Sequence, residues 1–219
     1  MTAPRLTFDN LANRAAEMGG LFVGLDRDGT LIEDCGYSVT QENVVLKSGL
    51  KDLHQSLCRL GFSHRSAIFT NQSAVGRGYT SLEEMASVNR KVIHLANQHV
   101  GEAWLTDADV FSCPHRPDQE CDCRKPNIKM YLNARTHCAV ERWPFLMIGD
   151  RCSDTAFAHN AGGIAIELVT LESEGMETKT SKRCEKIVSP AWMRAQNLSE
   201  VAAIINSIPN QRRRRDESS

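Results

Sequence analysis

No stretch of the 219 residues reaches 18 uninterrupted apolar positions, so a membrane-spanning helix is not expected. The opening segment, Met1 to Gly20, carries no continuous apolar run either. That removes the case for a secretory leader and makes the cytoplasm the expected compartment. No internal repeat is visible, which sets aside solenoids and propellers. A one-sided charge is missing too: the net charge is −1, and the four arginines at 212–215 with Asp216 and Glu217 supply +2 against it, leaving the body near −3. A body of that sign argues against a basic nucleic-acid-binding face and leaves 210–219 as a disordered basic tail. Aromatic residues are few, at 6%, yet hydrophobic residues reach 41% and charged ones 24%. That is the usage of a globular chain, not a disordered or fibrous one, and the length allows one domain with a sizeable core.

What is present is cysteine, eight in all. Cys113, Cys121 and Cys123 fall within eleven residues and enclose His115, a spacing that favours a metal over disulfides. Three thiolates and one imidazole are a donor complement for tetrahedral Zn²⁺, and with no ligand to spare the site is expected to be closed and structural. Cys123 directly precedes Arg124 and Lys125, so a metal in that loop would fix both cations.

Short apolar runs alternate with helical stripes along the chain. Strands are expected at 21–25, 66–70, 109–113, 145–149 and 163–168. Leu50, Leu53, Leu57 and Leu60 recur on one face of a helix closed by Gly61. Thr80-Ser-Leu-Glu83 reads as a capping box opening a helix with Leu82, Met85, Val92 and Ala96 inward. Pro126 is expected in the first turn of another helix, striped by Ile128, Leu132 and Cys138, and 153–161 and 198–208 complete the set. The polar stretch 170–185 reads as a loop and 186–188 as an edge strand. Residues 1–19 stand apart as an N-terminal extension to a domain at 20–209. The alternation predicts an α/β fold: a three-layer, doubly wound, mainly parallel sheet with helices on both faces. Ligands of such sheets bind outside the carboxyl ends of the strands. The polar residues there are Asp26 and Asp28, Thr70 and Asn71, the Cys113 loop, and Asp150 and Asp154.

Asp26 and Asp28 lie two residues apart at a strand end, before the turn at Gly29 and Thr30. A hard cation such as Mg²⁺ binds through one or two carboxylates, a carbonyl, waters and a substrate phosphate. One carboxylate can then attack phosphorus while the other moves a proton. Thr70 offers a hydroxyl and neighbouring N–H groups to phosphate oxygens. Lys125 suits a compact charge on a transferring phosphoryl group, and Arg124 bidentate capture of another substrate anion. Asp150 can complete the Mg²⁺ site.

Aspartate-x-aspartate, threonine, lysine and Gly149-Asp150-x-x-x-Asp154, at four successive strand ends, resemble the motifs of the haloacid dehalogenase superfamily of phosphohydrolases over residues 20–170. The resemblance implies that Asp26 is a nucleophile forming an aspartyl-phosphate and Asp28 a general acid/base. Thr70 and Lys125 would stabilise the phosphoryl group. Mg²⁺ would be held by Asp26, the Asp28 carbonyl and Asp150, with Asp154 behind. Asp28 must carry a proton when the alkoxide departs, so its pKa is expected above ~3.9.

The run Cys113-Pro-His115 to Cys121-Asp-Cys123-Arg-Lys-Pro126 is similar to one branch of that superfamily, which contains heptose-1,7-bisphosphate and histidinol-phosphate phosphatases. Asp34-Cys35-Gly36-Tyr37 and Thr70-Asn-Gln-Ser-Ala-Val-Gly-Arg-Gly78 lean to the heptose enzymes. The eight-residue step from Cys113 to Cys121 leans to the histidinol ones, and Ala74 stands where a glycine is usual. By this resemblance Asp34, Cys35, Gly36, Tyr37, Asn71, Gln72, Ser73, Arg124 and Arg151 contact substrate. A monomer acting on a small phosphorylated substrate is expected, with neither membrane nor nucleic acid as partner. Between Asp28, Thr70 and Lys125 there is no room for a large cap domain, so the cysteine loop and the Asp34–Tyr37 loop would rim the pocket. Two rival classes remain, a nucleic-acid end phosphatase and a non-catalytic binding module on the same fold. His54, His64, His94, His99, His137 and His159 have no motif company and read as structural.

Overall fold

The computed structural model describes residues 6–38, 40–169 and 192–208. Strands β1 (Gly20–Leu25), β2 (Ser63–Asn71), β3 (Val110–Cys113), β4 (Phe145–Gly149), β5 (Ile164–Leu168) and β6 (Trp192–Ala195) pair in parallel, in the order β3-β2-β1-β4-β5-β6. Seven helices lie among the described residues: α1 (Phe8–Met18), α2 (Leu50–Cys58), α3 (Ser73–Gly76), α4 (Leu82–Val100), α5 (Lys129–His137), α6 (Cys152–Asn160) and α7 (Leu198–Ser207). None is long and apolar enough to cross a membrane.

The two-residue period of a strand sorts the core into two layers. Leu21, Val23 and Leu25 of β1 pack with Ile68, Leu146 and Ile148 against Leu11, Leu53, Val92 and Val201, under α1, α2, α4 and α7. Phe22 turns the other way with Phe69, Phe145 and Met147, meeting Tyr131 of α5 and Phe157 of α6. Tyr131 alone lies 4.6 Å from the Phe145 ring and 6.4 Å from Phe157. Every residue of β1 is buried, as a strand covered on both faces must be. The doubly wound architecture expected from the alternating pattern is therefore present.

Several boundaries differ from the expectation. Within the segment set apart as an N-terminal extension, Phe8–Met18 form α1, whose Leu11, Ala12 and Ala15 join the core. The α4 capping box sits one residue later than expected: Ser81 Oγ accepts from the Glu84 N–H at 3.1 Å and the Ser81 N–H donates to Glu84 at 2.7 Å. That shift turns Leu82 outward, 63% exposed, while Met85, Val92 and Ala96 stay inward. Helix α5 begins at Lys129, not at Pro126, and buries Met130, Tyr131 and Ala134 instead of Leu132. The loop expected at 170–185, the edge strand at 186–188 and the tail at 210–219 lie outside the described residues. The edge strand that is described is β6.

Strand β1 is flanked by β2 on one side and β4 on the other, so the chain leaves it in opposite directions. A crevice opens at such a switch point, beyond the carboxyl ends of β1 and β4. Leu25 pairs with Ile148, and the Asp26 N–H donates to the Ile148 carbonyl at 2.9 Å. That register sets Asp26 and Asp150 side by side at the crevice.

Candidate active site

Lys125 is the hub of the crevice. Its ammonium donates to Asp26 Oδ1 at 2.7 Å and to the Phe69 carbonyl at 2.6 Å, and it pairs with Asp154 Oδ1 at 2.5 Å. The residue is 3% exposed. Burial works against its charge, but Asp154 and Asp26 outweigh that cost and hold its pKa above the ordinary lysine value. Its backbone is held equally firmly by Asn71, whose Oδ1 accepts from the Lys125 N–H at 3.0 Å while its Nδ2 donates to the Lys125 carbonyl at 3.2 Å.

Asp26, Asp150 and Asp154 each bring an oxygen within 4.8 Å of the others. Three carboxylates crowd one buried ammonium, with the Arg151 guanidinium 4.0 Å from Asp150 at the rim, so negative charge is in excess in a buried place. The protein answers by holding protons: burial first, then Asp26 and Asp154, push Asp150 up to about 9. Burial and Asp154 likewise raise Asp26 against the pull of Lys125. Asp150 Oδ1 is buried with no hydrogen-bond partner. An orphaned acceptor beside two further acids fits a divalent cation with oxygen ligands. Two glycines make the crowding possible. A Cβ on Gly29, which has φ +81°, would collide with the Asp150 carboxylate, and one on Gly149 with that of Asp154.

Asp28 is tied into a separate network. Gln72 Nε2 donates to Asp28 Oδ2 at 2.7 Å and to Thr70 Oγ1 at 2.6 Å, joining the ends of β1 and β2. Arg27 donates to both Asp28 oxygens at 3.0–3.1 Å and to Asn89 Oδ1 of α4 at 2.7 Å. Burial nevertheless dominates, with Asp26 adding to it, and the Asp28 pKa lies above the ordinary value despite the opposing Arg27. Arg27 and Asn89 are site residues that sequence reasoning missed. A lone arginine between two motif acids carries no signal of its own, and Asn89 reaches the site only through the tertiary approach of α4.

The rim holds the remaining expected residues. Asp34 Oδ2 accepts from Arg151 at 2.6 Å and Asp34 Oδ1 from the Gly36 N–H at 2.8 Å. Tyr37 is 53% exposed; its ring lies 5.5 Å from the Arg77 guanidinium and 5.4 Å from Tyr79, and a hydrogen bond to Ser73 leads the causes that lower its pKa. Arg77 and Tyr79 were not among the expected contacts, although Arg77 stands in the quoted Thr70–Gly78 stretch. Cys35 is an exposed free thiol. Arg124 donates to the His115 carbonyl at 3.2 Å, tying it to the cysteine loop.

That loop brings its four expected donors together. Cys113 Sγ lies 3.5 Å from His115 Nδ1, 3.5 Å from Cys121 and 3.2 Å from Cys123; Cys123 lies 3.6 Å from Cys121 and 3.2 Å from His115 Nδ1. Zn–S and Zn–N bonds of ~2.3 and ~2.0 Å imply tetrahedral edges of ~3.5–3.8 Å, close to these separations. The Gln72 N–H donates to the Cys113 carbonyl at 2.7 Å, and Asn127 Nδ2 to the Cys121 carbonyl at 2.8 Å, fixing the loop to its surroundings.

A Rossmann-type sheet with buried acids and a lysine at its switch point defines the class of α/β hydrolases that work on phosphoryl groups. A family model described as HAD-hydrolase-like matches residues 122–189. A "Probable D-glycero-D-manno-heptose-1,7-bisphosphate 7-phosphatase" of Thermoplasma acidophilum is 35% identical over 144 residues, 64% of this chain and 84% of that protein. The D-glycero-beta-D-manno-heptose-1,7-bisphosphate 7-phosphatase of Escherichia coli K12 is 34% identical over 149 residues, 63% of this chain and 74% of that protein. Among solved structures, the D,D-heptose 1,7-bisphosphate phosphatase from B. bronchiseptica, complexed with magnesium and phosphate, has the same fold. Its TM-score is 0.65 at 22% identity, covering 83% of this chain and 96% of that one. The chain belongs to the haloacid dehalogenase superfamily of phosphatases, in the branch whose curated members are named heptose-1,7-bisphosphate 7-phosphatases.

Proposed function

We propose that this chain is a Mg²⁺-dependent phosphatase that removes the 7-phosphate of D-glycero-D-manno-heptose 1,7-bisphosphate through an aspartyl-phosphate on Asp26. The observation that carries the reading is the Lys125 ammonium held between Asp26 and Asp154 at 2.7 and 2.5 Å. It fixes the nucleophile and sets a positive charge where a transferred phosphoryl group would sit. Asp26, the Asp28 carbonyl and Asp150 would hold Mg²⁺, which when bound supplies charge neutralisation for the approaching phosphate dianion.

In the first half-reaction an Asp26 oxygen bonds to phosphorus as the P–O bond to the sugar breaks, and Asp28 gives its proton to the departing oxygen. The raised Asp28 pKa supports that protonated start. In the second, Asp28 takes a proton from water, whose oxygen attacks phosphorus and frees Asp26 and inorganic phosphate. Thr70 and the N–H groups near it steady the equatorial oxygens, and Gln72 couples Thr70 to Asp28. Asp34, Cys35, Gly36, Tyr37, Asn71, Ser73, Arg124 and Arg151 form the substrate face, with Arg77 beside Tyr37. Cys113, His115, Cys121 and Cys123 would hold Zn²⁺ in a closed, structural role. Six of the described cysteines are free thiols, and the cytoplasm is the compartment we propose. The catalytic domain carries its motifs within 20–209 and takes α1 into its core, and we expect a monomer.

The short step from Cys113 to Cys121 favours histidinol phosphate as a second reading. Release of inorganic phosphate from the two compounds, side by side with Mg²⁺, separates them. We expect faster turnover of the heptose bisphosphate, and a clear preference for histidinol phosphate would overturn the substrate while leaving the chemistry standing.

A further inference from the structure

Away from the catalytic edge, where α2 hands the chain to β2, a second set of soft donors converges. His54 and Cys58 lie one helical turn apart on α2, a spacing that puts both on one face. After the turn at Gly61 the chain brings His64, the second residue of β2, back toward them. One donor atom from each of the three lies within 4.8 Å of the others. Cys58 Sγ is 3.8–3.9 Å from the ring nitrogens of His54, and Glu102, in the turn that ends α4, places an oxygen 3.7 Å from His54 Nδ1.

Packing alone accounts poorly for this group. His54 is 4% exposed, against Trp104 at 4.9 Å, and a buried imidazole ordinarily satisfies its nitrogens with hydrogen bonds. Here its polar neighbours are a thiol and a carboxylate, all beyond 3.6 Å. The half-buried His64 makes no hydrogen bond among the described residues and turns an edge to His54, with ring centroids 6.3 Å apart. Two imidazoles facing a thiol, with only long contacts among them, are the donors a borderline-soft cation takes. The His54–Cys58 and His54–Glu102 separations are a few tenths of an ångström wider than in the Cys113 loop, and those to His64 lie within 4.8 Å, so this set would have to contract to bind and should bind more weakly.

We propose that His54, Cys58 and His64 form a second transition-metal site, suited to Zn²⁺, with Glu102 or water as the fourth ligand. Thr70 lies six positions beyond His64 along β2, about 20 Å at the rise of a strand. An ion there is too far away to take part in phosphoryl transfer. It would act as a clip across the end of α2, the start of β2 and the end of α4, raising thermal stability without changing turnover.

The test is the zinc content of the full-length chain after equilibrium dialysis against buffered free Zn²⁺ with excess Mg²⁺, for wild type, Cys58→Ser, His64→Gln and Cys121→Ser. Cys58 and His64 lie near the surface, and circular dichroism checks that each variant folds. The proposal expects Cys58→Ser and His64→Gln each to hold one equivalent fewer than wild type, with unchanged phosphatase activity. In a Cys121→Ser background, Co²⁺ should still give a sulfur-to-metal absorption band that disappears when Cys58→Ser is added. Equal zinc content in wild type, Cys58→Ser and His64→Gln would overturn it. The readout is metal content, so a wrong substrate or an empty Cys113 loop leaves the comparison intact.

Discussion

Arg27 grips the carboxylate of its neighbour Asp28 through Nε and Nη2 at 3.0–3.1 Å, although Arg27 is itself only 2% exposed. Its remaining nitrogen is fixed by Asn89 of α4, so the guanidinium cannot follow Asp28 if that side chain moves. The pair therefore sets both the direction and the proton affinity of the proposed acid/base. Arg27 pulls the Asp28 pKa down against burial, which pushes it up.

Replacing Arg27 by methionine removes the downward pull, so the Asp28 pKa should climb. The proton donor then persists to higher pH, while the form that takes a proton from water appears only at higher pH. The ascending limb of the pH–rate profile should move upward, and kcat should fall about 10²-fold at neutral pH, within the range for a misplaced general acid/base. Asn89→Ala frees the guanidinium but leaves the charge, so it should lower kcat with a smaller pH shift. An unshifted limb in Arg27→Met would show that Arg27 serves packing alone.

Asp26→Asn should abolish turnover, by at least about 10⁴-fold, without unfolding the chain. Lys125 keeps its contacts with Asp154 and the Phe69 carbonyl, so its buried charge stays compensated. Phosphate release and a thermal melt test both halves. Retained activity would refute the nucleophile, and a collapsed melt would show that the Asp26–Lys125 pair holds the fold.

Much of this was legible in the sequence because strands covered on both faces are continuous apolar runs, and β4 at Phe145–Gly149 reads without ambiguity. The acids directly after such runs come at the carboxyl edge by topology alone, which is why Asp26, Asp28 and Asp150 read as one set. Helices were harder. Thr80 and Ser81 both qualify as a cap, and only the reach of Glu84 to Ser81 decides between them. Neither Arg27 nor the meeting of His54, Cys58 and His64 was foreseeable, since each depends on how α2, α4 and β2 approach in space. The four-donor cysteine loop was visible because all its ligands are local.

Asp150 gives a pH signature to metal-free protein. Its folded pKa, about 9, lies above the unfolded value of 3.8. Between those values the folded state binds more protons than the unfolded one, so stability is fullest below pH ~4 for this group and declines as pH rises toward 9. A cation with oxygen ligands binds the ionised carboxylate, so Mg²⁺ should restore most stability at the alkaline end. At a hundredfold excess over Kd the gain is about 2.7 kcal/mol, or roughly 5–10 °C in Tm for a chain of this size. The Mg²⁺-induced shift should be larger at pH 8.5 than at pH 5, and Asp150→Asn should remove both the shift and its pH dependence. A shift of equal size in Asp150→Asn would place the cation elsewhere.

Loss of the cysteine-loop metal should fall unequally on the two cations that follow it. Lys125 is anchored by Asn71 from β2 and by its own buried contacts, none of which belongs to the loop. Arg124 is held through the His115 carbonyl, inside the loop itself. Freeing the loop should therefore loosen Arg124, a proposed substrate contact, and leave Lys125 beside Asp26. Cys121→Ser, or dialysis of wild type against a zinc chelator with Mg²⁺ kept in excess, should raise KM about 10-fold while kcat stays within about 3-fold. Arg124→Ala should reproduce that rise in KM, and combining it with Cys121→Ser should add little, because both act through one side chain. A matching fall in kcat would mean that the loop also positions Lys125, and that the Asn71 anchor is not sufficient.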